Sequence, residues 1–340
     1  MFNKSVVFVI GAGASHEYNF PLGSSLKDKV AKKVRFRFDQ GSSHLVGGDP
    51  DLLDHIRRHV TDTNRRNDYT RATNVLASAI PSYISIDEAL HYVSGSPEAV
   101  EVGKIAIMLE ILEAERNSAL AISRQNGRLD INGLDDRWIA EMFSMAIAGL
   151  QREALDTAFD KVTFINFNYD RAIEHYLYWA LQERTSASSD QARQIVEKLD
   201  FIRPYGSIGP LSWNMNDDRS FGTTAYFDPF SRIGLMRTYT DKEQLHDVSA
   251  MTRALQDAKL IIFLGFGYHA TNVDLLKTAP NKSAAEVLGT VFKIHEGNLG
   301  AIRNRIVGDL GIPATNVSLV NMPAAALLRD LRQSILISLE

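Results

Sequence analysis

The chain has 340 residues, 45% hydrophobic and 23% charged, ordinary values for a globular protein with a substantial core. A formal net charge of −4 gives no general attraction for nucleic acid or anionic membrane. With no cysteine there are no disulfides, no thiol catalysis and no cysteine-ligated zinc or iron–sulfur site.

Ser5–Ile10 (SVVFVI) is a continuous β-branched and aromatic run, the pattern of a strand buried on both faces. The start, MFNKSVVFVIGAG, turns glycine-rich too soon for a secretory signal, and no apolar run is long enough to span a bilayer, so the sequence reads as cytoplasmic. Beyond Pro21 a helical pattern starts at Ser24, with Ser24 or Ser25 placed to cap it. The Lys- and Arg-rich stretch from Lys27 to Arg37 reads as a solvated helix face. Residues 24–158 read as mainly helical, with a loop at Gly41–Pro50. Val102, Ile105, Leu109 and Leu112 recur at helical spacing in a helix over Val102–Ser123, stopped by Asn126-Gly127. A second helix over Asp136–Ala158 places Trp138, Met142, Met145 and Leu150 on one stripe, with Gly149 as its weak point.

The period then changes. Val162–Phe167 (VTFINF) reads as a strand, followed by Asn168-Tyr169-Asp170 and a helix through Leu181, while Ser186–Asp190 is polar and exposed. Phe201–Ile208 is a short strand or loop, and residues 209–240 form a long irregular stretch. Lys259–Leu264 is another buried strand, ended by Gly265. Thr290–Ile294 and Val317–Val320 complete the strands, and a helix from Ala324 closes the chain. Together these elements predict an α/β fold: a Rossmann-like parallel sheet with helices on both faces, built from residues 1–23 and 159–340. Residues 24–158 form a large α-helical insertion that lids or flanks the nucleotide cleft.

Four segments carry chemistry. The first is Gly11-Ala12-Gly13-Ala14-Ser15-His16, a Gly-x-Gly between strand and helix. It is either a phosphate cradle, with Gly13 admitting a pyrophosphate to the backbone, or a plain tight turn. His16 stands where a dehydrogenase fingerprint needs glycine, which argues against hydride transfer. The second is Asn166-Phe167-Asn168-Tyr169-Asp170, directly after a strand. Its amide can bond a ribose hydroxyl or hold a water, and Asp170 can serve a ligand or cap the following helix. The third is Arg203-Pro204-Tyr205-Gly206-Ser207-Ile208. The fourth is Gly265-Phe266-Gly267-Tyr268 with Asn272 and Asp274, where two glycines let backbone approach a ligand, and Asn272 or Asp274 is equally a helix cap.

In this order the four segments resemble the sirtuin-like family, specifically its zinc-less bacterial branch associated with anti-phage defence. GAGAS with Phe20-Pro21-Leu22 looks like the family's opening glycine element, and Asn168-Tyr169-Asp170 looks like its Asn-x-Asp element. Tyr205-Gly206-Ser207 sits where the family has His-Gly-Ser, and Gly265-x-Gly267 looks like its later glycine turn. Ser85-Ile86-Asp87-Glu88 and the Gly103–Leu120 helix look like the helical module of the defence branch. The resemblance implies NAD as ligand and no metal. Asn168, Asp170 and Tyr205 would form the catalytic set. Gly11, Ala12, Gly13 and Ser15 would hold the phosphates, with Gly206, Ser207, Gly265, Gly267, Asn272 and His295 completing the cofactor site. It also implies a homo-oligomer and a HerA-like translocase ATPase as partner, with nucleic acid reached only through that partner and no membrane contact.

The departures from the family are informative. A chain without cysteine cannot build the zinc ribbon of the sirtuin deacetylases. Tyr205 replaces the family's histidine base, and a phenol titrating near pH ~10 is a poor base. Among the histidines, His44, His55, His59 and His246 read as surface residues, His91 and His175 as packed or exposed helical residues, and His269 as the best substitute base. The expected activity is NAD glycohydrolysis to nicotinamide and ADP-ribose. The alternative is a catalytically inactive NAD- or ADP-ribose-binding module that scaffolds the ATPase.

Overall fold

The computed structural model describes residues 1–41, 44–123, 125–213, 217–223, 227–237, 248–277 and 285–340. Among these, six strands form one all-parallel sheet: β1 Val6–Ile10, β2 Val162–Asn166, β3 Asp200–Ile202, β4 Leu260–Leu264, β5 Glu286–Thr290 and β6 Val317–Val320. Their spatial order, β3-β2-β1-β4-β5-β6, is that of the Rossmann dinucleotide fold, and the winding reverses between β1 and β4. Register matters here. Ile10 stands opposite Asn166 on one side and Leu264 on the other, so three strands end level and their turns leave the sheet side by side.

Side-chain alternation divides the interior into two cores. Phe2, Val6, Phe8, Ile10, Phe164 and Ile262 face one side, and Val7, Val9, Ile165, Ile261 and Phe263 face the other. Both faces are covered, so β1 and β4 are apolar and buried along their whole length. A short α1, Ala12–His16, follows β1. Helices α2 Gly23–Val34, α3 Pro50–His59, α4 Thr63–Ala79, α5 Ile86–Tyr92 and α6 Pro97–Asn117 share the Val7/Val9 core, together with α10 Val248–Asp257, α11 Ala270–Leu275 and α12 Leu299–Leu310. The Phe8 core takes α7 Trp138–Ala146, α8 Ala172–Thr185, α9 Ser189–Glu197, α13 Ala324–Asp330 and α14 Arg332–Ser338. The helical block 24–158 therefore packs on both faces of the sheet: α2–α6 on one side and α7 on the other.

Local chemistry explains several helix starts. Asp49 caps α3 through the Leu52 amide, with Pro50 in the first turn, and Asp62 and Ser85 cap α4 and α5. Gly103 lets α6 lie against Leu90 and Leu76, where a Cβ would collide.

Several boundaries differ from the sequence expectation. Neither Ser24 nor Ser25 caps α2; the helix starts at Gly23, and the Ser25 hydroxyl donates to the Leu22 carbonyl. The stretch 41–50 is not all loop, since Leu45–Gly47 pairs with Arg37–Phe38 in a small antiparallel hairpin. Helix α6 starts at Pro97 and ends at Asn117, well before Gly127, which lies in a later turn with φ of +67°. The helix expected over 136–158 stops at Ala146. Ile147 is its C-cap, Gly149, at φ +76°, lies in the turn beyond it, and a 3-10 segment covers Arg152–Thr157. Strand β5 is Glu286–Thr290, ahead of the more β-like TVFKI. Gly289 is needed there because a Cβ would meet the Tyr268 hydroxyl at 2.5 Å and Leu319 at 2.8 Å. Helices α9, α10 and α12 went unread. No helix among the described residues is long and apolar enough to cross a membrane.

Candidate functional site

The level ends of β1 and β2 bring the first two segments together. The Asn168 side-chain amide donates to the Gly11 carbonyl at 3.1 Å and to the Ser15 hydroxyl at 2.8 Å, in a buried setting. The turn is built by Asn166, whose Oδ1 accepts the Asn168 backbone amide at 3.0 Å. Arg203 clamps it from outside, donating to the Asn168 carbonyl at 3.3 Å and the Asp170 carbonyl at 3.1 Å while pairing with Glu174 at 2.5 Å.

Asp170 plays the capping role, accepting the Ala172 amide at 3.1 Å as α8 begins. It is also buried beside Ser15. Burial pushes its carboxyl up to about 6, against the lowering pull of the Ser15 hydroxyl, the Ala172 amide and the Arg203 charge. A carboxyl titrating there can exchange a proton at neutral pH.

The glycines have a structural duty. Gly11 N–H donates to the Leu264 carbonyl at 3.0 Å and Gly13 N–H to the Gly265 carbonyl at 2.9 Å. A Cβ on Gly11 would lie 2.7 Å from Gly265 O and Phe266 Cα, and one on Gly13 would lie 2.8 Å from Gly265 Cα. Gly265 itself has φ +58°. The β1 and β4 turns thus cross backbone to backbone at the switch point, and this crossing alone demands the Gly-x-Gly. Gly13 N–H is engaged there. Ala12 is half-buried, and Ser15 is buried against Asn168. The Gly265 amide is held by the Thr290 hydroxyl at 2.8 Å.

Tyr205 is buried and donates its phenol proton to Asn272 Oδ1 at 2.6 Å, which joins the third segment to α11. Its ring lies edge-on to Phe167, with centroids 5.9 Å apart. Gly206, at φ +70°, passes close to the Leu235 carbonyl, and Ser207 Oγ accepts the Gly209 amide at 3.2 Å. Tyr169 reaches the other way, donating to Asp87 Oδ1 on α5 at 2.7 Å, so the helical block touches the Asn-Tyr-Asp turn directly. Asp274 is an exposed partner of Lys277 and Arg305.

Gly267 and His295 meet elsewhere, in the wall of a cavity of about 490 Å³ beyond the ends of β4 and β5, closed by α12. His295 is exposed, and its Nδ1 accepts the Gly297 amide at 3.1 Å. The remaining histidines are dispersed. His16 is exposed and bonds the Phe20 carbonyl, His269 is exposed ahead of α11, and His44, His59 and His91 are exposed. His55 departs from the surface expectation. It is half-buried in a second cavity of about 420 Å³ with His59 and Arg58, and burial pushes its pKa down. His175 is buried, stacks on Phe221 and is driven by burial to a pKa of about 3. His246 lies outside the described residues. No cluster of three or more metal-ligating side chains occurs among the described residues.

The sequence reading did not single out Asn166, Arg203, Asp87 or Thr290 as site-building residues. Asn166 and Arg203 lay inside segments already marked, but their partners are set by strand register, which sequence spacing does not show. A scan against protein-family models finds no match to the chain, and a search of curated proteins finds none either.

Proposed function

We propose that the chain binds NAD across the β1/β4 switch point and hydrolyses its nicotinamide–ribose bond, as a sirtuin-like defence protein of the cytoplasm. The observation that carries this reading is the direct bonding of Asn168 to Gly11 and Ser15, with Asp170 buried alongside. A strand-end amide and a carboxyl of near-neutral pKa at the switch point are groups suited to a nucleoside carbon that becomes cationic in the transition state. In the reaction, water attacks the ribose anomeric carbon. The carbon–nitrogen bond breaks, its electron pair neutralises the pyridinium as nicotinamide leaves, and Asp170 receives the proton lost by water. Asn168, held rigid by its two donated bonds, orients the water through its free carbonyl face. The phosphates lie along the half-buried Ala12, and Tyr205 holds Asn272 in place. A homo-oligomer paired with a HerA-like ATPase would bring this activity under control.

The test is nicotinamide release from NAD by the full chain, alone and with the ATPase. Asn168→Ala and Asp170→Asn are expected to lower it by about 10²-fold or more. No release by either preparation sinks the hydrolase reading.

A second reading is favoured by Tyr205, buried and bonded to Asn272 where the resemblance expects a histidine. On it, the chain is an inactive NAD- or ADP-ribose-binding module that scaffolds the ATPase. Calorimetric binding without turnover supports this module, whereas turnover gained by Tyr205→His supports the altered enzyme.

A further inference from the structure

The cavity beyond β4 and β5 is built under strain. Among the described residues four non-glycine residues have positive φ, and two of them, Tyr268 at +53° and Lys293 at +60°, line this cavity. Large side chains held in the left-handed region are strained and persist where surrounding contacts fix them. The contacts are present. The Tyr268 hydroxyl donates to the Thr290 carbonyl at 3.3 Å, and the Lys293 amide donates to Asn321 Oδ1 at 3.2 Å.

The walls have two chemistries. Val273, Ile302 and Ile306 give an apolar surface suited to the face of a purine. Its polar side chains include two cations, Lys293 and Arg305. The Lys293 ammonium lies 5.0 Å from the centroid of the exposed Phe292 ring and makes no ion pair among the described residues, and none of the described lining residues is an Asp or Glu. His295 accepts the Gly297 amide on Nδ1, which places the proton of the neutral ring on Nε2 as a donor. Asn298, at the N-terminal end of α12, adds the positive end of a helix. Arg305 is already engaged, by Asp274 at 2.9 Å and Asp309 at 3.3 Å. A Rossmann-type site that selects an unmodified adenosine ribose presents a carboxylate to its 2′-hydroxyl, and one that selects a ribose phosphate presents a cation.

We infer that this cavity takes an adenosine bearing a phosphate on its ribose, so that the site prefers NADP and phosphorylated ADP-ribose to NAD. The inference rests on the dinucleotide reading above and names its substrate class. Lys293 is the specificity residue.

The test is calorimetric titration of the full chain with NAD, NADP and ADP-ribose. NADP is expected to bind about ten-fold more tightly than NAD, the worth of one charge-assisted contact. Lys293→Asn removes the charge while tolerating positive φ, and should bring the ratio to within about two-fold. Lys293→Arg should keep the preference. A wild-type ratio near one, or a preference that survives Lys293→Asn, overturns the inference and leaves the dinucleotide site standing. Failure of all three nucleotides to bind overturns both.

Discussion

At the scale of single residues, Asp170 concentrates the tension between stability and function. Its folded pKa, about 6, lies above the ordinary 3.8, because burial penalises the charged form. The folded protein therefore holds a proton through a window in which the unfolded chain has lost it. The stability this contributes is fully present below pH ~4 and is lost as pH rises through ~6. Asp170→Asn keeps the bond to the Ala172 amide and removes the buried charge. It should raise stability by about 1–3 kcal/mol at pH 7, with little change at pH 4, and denaturant titrations at the two pH values check this. His175 has the opposite sign. Its folded pKa, about 3 against an ordinary 6.5, means stability is lost as pH falls below ~6.5. In Asp170→Asn the His175 slope should stand out more clearly, because the opposing slope is gone. The sequence marked Asp170 as cap or ligand. It could not show the raised pKa, which depends on the helices that bury the group.

At the scale of elements, the crossing of the β1 and β4 turns is the least tolerant feature. Gly265→Ala would force a Cβ into the Gly13 and Ala14 backbone at φ +58°. A loss of about 3 kcal/mol or more is expected, read as a lowered Tm together with lost nucleotide binding. Gly308→Ala, on an exposed face of α12 with no neighbour within 4 Å, should instead gain up to about 1 kcal/mol. A stabilised Gly265→Ala protein would show that the crossing does not exist. Strands β1, β2 and β4 were legible as unbroken apolar runs because both faces of a parallel sheet are covered. Strand β5 was not, because it starts at the exposed Glu286 and because Gly289, required by packing against Tyr268 and Leu319, interrupts its apolar pattern.

At the scale of the whole molecule, one buried ion pair ties the parts together. Arg171, just before α8, donates to Glu115 on α6 at 3.0 and 2.6 Å and to the Arg219 carbonyl at 2.7 Å, and Glu115 also accepts the Gly222 amide at 2.9 Å. Glu115→Gln leaves a buried guanidinium uncompensated and should cost about 3–5 kcal/mol in chemical denaturation. A further Arg171→Met change should restore part of that loss, and a double-mutant cycle measures the coupling. The sequence by itself determined the fold class, the glycine turns and the Asn-Tyr-Asp turn, because buried strands, left-handed glycine and Asx chemistry act over a few neighbouring residues. Only the tertiary structure decided what those turns do. It directed the glycines to a backbone crossing, bonded Asn168 to Ser15 across 153 positions, and separated the Tyr205–Asn272 pair from the cavity shared by Gly267 and His295. Those outcomes depend on strand order and register, which bring distant segments together and leave no periodic trace in the chain.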